Sequence, residues 1–117
     1  MKISTMKELL GAEVLCCEEN LGRHVYSACG CDLMSDVLAY VKDQAVLLTG
    51  LVNPQVIRTA VMMDMVCIVF VRSKDPTPEM LKLAQESGIV VMSTDKRLYE
   101  ACGILYSSGL VGNTAKK

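Results

Sequence analysis

The second half of this chain repeats one pattern three times: a short apolar run, a polar turn carrying a helix cap, then an amphipathic helix. The runs are residues 45–49, 66–71 and 89–92, and the helices after them open near Pro54, Pro78 and Asp95. Strands buried on both faces read as continuous apolar runs, and strands that alternate with helices pair in parallel through crossovers. The chain is therefore expected to form a layered α/β domain with a mainly parallel sheet. Such layers host many unrelated activities, so function has to be argued from particular residues.

At 117 residues the chain suits one core, expected to span residues 1–111, with residues 112–117 as a flexible C-terminal tail. Aromatic residues are four Tyr and one Phe, so aliphatic side chains, Met and Cys must fill that core. Twelve basic residues against thirteen acidic ones leave a net charge of −1. No basic stripe points to nucleic acid, and Arg58 and Asp64 interrupt the longest apolar stretch, so no membrane span is expected. Met1-Lys2-Ile3-Ser4 leads directly into a polar helix start and does not read as a secretory leader. A cytoplasmic location is expected. The six cysteines then read as reduced thiols, mostly inside apolar runs where Cys acts as a small hydrophobe. With no Cys-x-x-Cys pair and His24 as the single histidine, no metal site and no cofactor are expected.

The first half is less regular. Thr5-Met6-Lys7-Glu8 reads as a capping box for a short helix ended by Gly11. Strands are expected over residues 13–17 and 24–30, and a helix over residues 33–41, with Asp32 and Ser35 as its caps. Asp32 and Asp36, four apart, would also suit a cation or an acid–base pair, although nothing nearby completes such a site. Asn53-Pro54 and Thr77-Pro78 are strong helix starts, and Ser93-Thr94-Asp95 is expected to cap the last helix. The helix after Asn53 is apolar on most sides, through Val56, Ile57, Ala60, Val61, Met62 and Met63. That excess predicts a homodimer burying part of residues 54–65.

In an open parallel sheet, ligands gather beyond the carboxyl ends of the strands, where helix N-termini favour an anion. Asn53, Arg72, Ser73, Lys74, Thr94 and Asp95 fall at that edge and are the candidate ligand-binding residues. Helix capping, with the charges as a solvated rim, accounts for each of them without a ligand. There is no Gly-x-x-x-x-Gly-Lys-[Ser/Thr] phosphate loop, no Gly-x-Gly-x-x-Gly and no Gly-x-Ser-x-Gly. No acid, base and nucleophile can be assembled, and an enzyme is not expected.

Between residues 28 and 110 the chain resembles DRTGG domains. The likeness rests on Asp32-Leu33-Met34-Ser35-Asp36-Val37, on Leu48-Thr49 ahead of Asn53-Pro54, and on Pro76-Thr77-Pro78-Glu79 with Leu81-Lys82-Leu83-Ala84. Gly88-Ile89 and Ser93-Thr94-Asp95 ahead of Leu105-Tyr106 and Gly109-Leu110 complete it. The resemblance implies a three-layer α/β/α sandwich like the N-terminal domain of HPr kinase/phosphorylase. It also implies a non-catalytic regulatory or ligand-binding module, sensing a nucleotide or other small anionic ligand. The short stand-alone members it looks most like sit beside iron-only hydrogenase and related redox genes, implying a redox enzyme as partner. The alternative is a protein–protein interaction scaffold for such a complex, with no small-molecule ligand. The signature is altered: its Asp-Arg falls at Val52-Asn53 and its Thr-Gly-Gly at Val71-Arg72-Ser73.

Overall fold

A computed structural model describes residues 1–40 and 44–111; the expected tail at residues 112–117 lies outside the described residues. Five strands form one sheet in the order β1-β5-β4-β3-β2. They are β1 (Glu13–Cys16), β2 (Ser27–Gly30), β3 (Ala45–Thr49), β4 (Cys67–Phe70) and β5 (Val90–Ser93). Strands β2 to β5 pair in parallel, and β1 closes the far edge antiparallel to β5. The helices are α1 (Ile3–Leu10), α2 (Met34–Tyr40), α3 (Pro54–Met62), α4 (Pro78–Ser87) and α5 (Leu98–Ser107). No helix among the described residues is long and apolar enough to cross a membrane.

The period of two along each central strand separates the core into two layers. Val46, Leu48, Cys67, Val69, Val90 and Met92 face one side, where α1 and α5 supply Ile3, Met6, Leu10, Ala101 and Leu105. Ala45, Leu47, Ile68, Phe70 and Val91 face the other, covered by Val37 of α2, Val56, Ile57 and Ala60 of α3, and Met80 and Ala84 of α4. The result is the α/β/α sandwich that the resemblance implied. The last helix, α5, is on the opposite face from α2, α3 and α4.

Local signals placed several helix ends. Asn53 accepts from the Gln55 N–H at 2.8 Å, and Thr77 accepts from the Met80 N–H at 3.2 Å. Gly11 and Gly88 end α1 and α4 in left-handed conformations that glycine adopts without a Cβ penalty. Elsewhere, distant partners displaced the expected boundary. Helix α1 opens at Ile3 with no side-chain cap, two residues before the Thr5 capping box. Its first N–H groups already have partners: Ile3 donates to the Arg23 carbonyl at 3.0 Å and Ser4 to the Leu21 carbonyl at 2.9 Å. His24 forms only an isolated bridge with Lys2, so β2 begins at Ser27. Cys17 turns left-handed, φ 60°, and ends β1 at Cys16. Helix α5 opens at Leu98 with Arg97 at its N-cap, three residues after Asp95. Leu110 is buried and donates to the Leu105 carbonyl, docking the chain after α5.

The apolar excess on α3 is left uncovered. Val56, Ile57, Thr59 and Ala60 are buried, whereas Val61 is 48% and Met62 68% exposed.

Candidate functional site

The registers Thr49↔Phe70 and Phe70↔Ser93 bring the carboxyl ends of β3, β4 and β5 level. Since α3, α4 and α5 follow these strands, their N-termini open toward this one rim. Two of the openings are satisfied internally. The Gln55 and Val56 N–H groups bond the Asn53 side chain and carbonyl, and Pro54 has no N–H. Thr77 takes the Met80 N–H. Binding at the rim therefore depends on side chains more than on free helix amides.

The most constrained part of the rim is where three loops meet beside β3. After β2, the Asp32 carboxylate turns toward β3, where one oxygen accepts from the Thr49 hydroxyl at 2.8 Å and the Gly50 N–H at 2.9 Å. Asp32 was expected to cap α2. Its role in the structure is instead to tie the β2 and β3 loops together, seventeen residues apart. Those bonds, led by the Gly50 N–H and helped by the charge of Arg72, hold its carboxyl below the usual range against some opposing desolvation. This tie is therefore complete at neutral pH and is lost as pH falls through the lowered value.

After β4, Arg72 and Ser73 both take left-handed backbone conformations, φ 58° and 56°. Such conformations are costly for residues with a Cβ. They are fixed by the loop after β5: the Arg72 N–H donates to the Lys96 carbonyl at 2.8 Å and the Ser73 N–H to the Thr94 carbonyl at 2.9 Å. These two residues stand where the resemblance places the signature's paired glycines, and the backbone keeps a glycine-compatible shape. The turn sends the Arg72 side chain back over β3, where its guanidinium lies against Gly50 in the space a Cβ there would fill. Arg72 is exposed and forms no ion pair with Asp32; among the described residues the ion pair found is Lys7–Glu8.

The other candidate residues separate from this point. Asn53 caps α3. The Lys74 side chain is exposed, and its carbonyl accepts from the Ser93 hydroxyl at 3.3 Å. Thr94 is buried: its hydroxyl donates to the Leu10 carbonyl at 2.8 Å and accepts from the Lys96 N–H at 3.3 Å. Ser73, Thr94 and Asp95 line a cleft of about 340 Å³ that also holds Glu13 and Asp75. Three carboxylates there oppose an anion, so the Arg72 side of the rim is the part suited to negative charge. The meeting of Asp32, Thr49 and Gly50 beside Arg72 is not an expectation of the sequence pattern. The residue types gave a weak hint, since Asp32 and Thr49 both lie in the segments that carry the family likeness.

The cysteines offer little chemistry in their ground state. Burial pushes the Cys17 and Cys29 thiols up to about 11 from an ordinary value of 9.0, and raises Cys16, Cys67 and Cys102 as well. No group of three or more His, Cys, Asp or Glu able to hold a metal is found among the described residues. At pH 7.5 these five thiols are protonated, and the thiolate is the nucleophile. Labelling of the folded protein by an aromatic disulfide reagent is expected to be slow for all five, to quicken as pH rises toward 10, and to be rapid in denaturant. Prompt labelling of Cys29 in the folded protein at pH 7.5 would contradict the burial argument.

The DRTGG domain family model matches residues 5–108. A crystal structure of the CBS and DRTGG domains of the regulatory region of Clostridium perfringens pyrophosphatase, complexed with the activator diadenosine tetraphosphate, is similar in fold, with a TM-score of 0.73 at 14% identity. The match covers 92% of this chain and 46% of that one, so this chain spans about half the length of the structure it resembles. A comparison with curated protein sequences gave no match.

Proposed function

We propose that this chain, which belongs to the DRTGG domain family, is a non-catalytic regulatory module that senses a nucleotide or other small anionic ligand at the carboxyl edge of its sheet. One observation carries the reading: the exposed guanidinium of Arg72 lies over Gly50 at the end of a central parallel strand, on a residue whose backbone takes a costly left-handed conformation. Strained backbone conformations cluster at ligand sites, which supports this reading. The activator bound to the regulatory region of the similar pyrophosphatase structure supports the class of ligand. Within this reading the module works in the cytoplasm, over residues 1–111, beside a redox enzyme of the hydrogenase type.

The test is a thermal-shift screen against nucleotides and phosphorylated metabolites. A ligand present at ten to a hundred times its Kd raises stability by about 1.4–2.7 kcal/mol, which moves the midpoint by several degrees in a chain of this size. No shift with any of them would remove the ligand-sensing role.

A second reading rests on a different surface. Val61 and Met62 of α3 stand exposed beside Leu83 and Ser87 of α4, along a groove of about 310 Å³. A second copy of the chain covering this face would give the expected homodimer, and a redox partner docking there would give a scaffold. Light scattering after size exclusion at micromolar concentration reads a dimer mass in the first case. Capture of a redox enzyme from the host by tagged protein, weakened by Met62→Glu, supports the second.

A further inference from the structure

Two opposite charges meet at Gly50 without pairing. One oxygen of Asp32 is engaged by the Thr49 hydroxyl and the Gly50 N–H, and the other has no hydrogen-bond partner among the described residues. The Arg72 guanidinium rests on the same glycine from the β4 side. Asp32 is tied to β3 by two bonds, and Arg72 is positioned by a turn whose two N–H groups are bonded to the loop after β5. The arrangement leaves a donor fork and a free acceptor oxygen side by side at the rim.

That combination suits some anions poorly. An anion approaching Arg72 also meets the charge of Asp32, bonded to the same glycine, which opposes it. A ligand with a hydroxyl or amino donor next to its phosphate turns the repulsion into a charge-assisted hydrogen bond. We propose that Asp32 and Arg72 act together as a specificity pair, selecting a phosphorylated ligand with a hydrogen-bond donor near the phosphoryl group, of the nucleotide class, over a bare anion. This rests on the anion-sensing reading above and adds which anions are refused.

Two substitutions separate the parts. Asp32→Asn keeps an oxygen to accept from Thr49 and Gly50 but removes the charge. Gly50→Ala keeps both charges but displaces the guanidinium. The added Cβ meets only the far end of a flexible side chain, and Gly50 lies outside the left-handed region, so the fold tolerates it. The experiment is calorimetric titration of the full chain and both variants with ADP and with inorganic pyrophosphate, after matching urea midpoints confirm folding. The wild type is expected to bind ADP about tenfold more tightly than pyrophosphate. Asp32→Asn weakens ADP about tenfold while tightening pyrophosphate several-fold, effects of opposite sign. Gly50→Ala weakens both ligands. Equal affinity of the wild type for ADP and pyrophosphate, or a shift of both ligands in the same direction in Asp32→Asn, would overturn the pair while leaving anion sensing intact. Binding of neither ligand to the wild type would overturn both readings together.

Discussion

Phe70→Ala lowers the free energy of unfolding by about 3–5 kcal/mol, at an unchanged dependence on denaturant. Phe70 is the one phenylalanine in the chain, is fully buried, and is the largest fully buried side chain among the described residues. It ends β4, between Thr49 of β3 and Ser93 of β5, and faces the layer built by α2, α3 and α4. Its neighbours there are backbone-tied strands on either side and helices closed by strong caps, so little can collapse into the space. The cost is then the lost transfer energy plus a cavity that stays open. Domains of this size are stable by about 5–15 kcal/mol, so the loss is a large share of the whole. Urea midpoints read it directly. A change under about 1 kcal/mol would mean that this helical layer does not close over the centre of the sheet as described.

If Arg72 binds the anion as proposed, Arg72→Ala and Arg72→Gly are both expected to weaken ligand binding by about 10–100-fold, the loss for a charged donor to a phosphate. They differ in stability in an unusual direction. In most positions Ala is favoured over Gly by about 0.4–1 kcal/mol, because glycine frees the unfolded chain. At φ 58° the Cβ of alanine is strained by about 1–2 kcal/mol, and that term is the larger. Arg72→Gly is therefore expected to be the more stable of the two by about 1 kcal/mol. Calorimetry gives the affinities and urea midpoints give the stabilities. If Ala proves the more stable, the left-handed turn is not what positions the guanidinium, and the argument from retained strain fails.

The altered signature residues take on a physical meaning from this comparison. A turn that two glycines would form without strain is formed here by Arg72 and Ser73, held by their N–H bonds to Lys96 and Thr94. The substitution leaves the backbone shape in place and puts a cation on it. Whatever room glycines would leave above Gly50 is occupied by the guanidinium in this chain.

The order of strands and helices, the parallel pairing and the double-sided burial of β3, β4 and β5 were all present in the sequence, as were the ends set by Gly11, Asn53, Thr77 and Gly88. These features depend on apolar periodicity or on hydrogen bonds spanning two to five residues, so their causes lie within a short window of chain. The start of α1, the inward turn of Thr94, the side of the sheet taken by α5 and the meeting of Asp32, Gly50 and Arg72 were decided only by the tertiary structure. Three of these rest on hydrogen bonds to remote parts of the chain, from Ile3 to Arg23, Thr94 to Leu10 and Gly50 to Asp32, and the fourth on which layer α5 packs into. A carboxylate beside a helix start is a cap when its own helix supplies the nearest N–H. At Asp32, the nearest N–H came from the neighbouring strand's loop, and that contact turned a helix cap into one half of the candidate site.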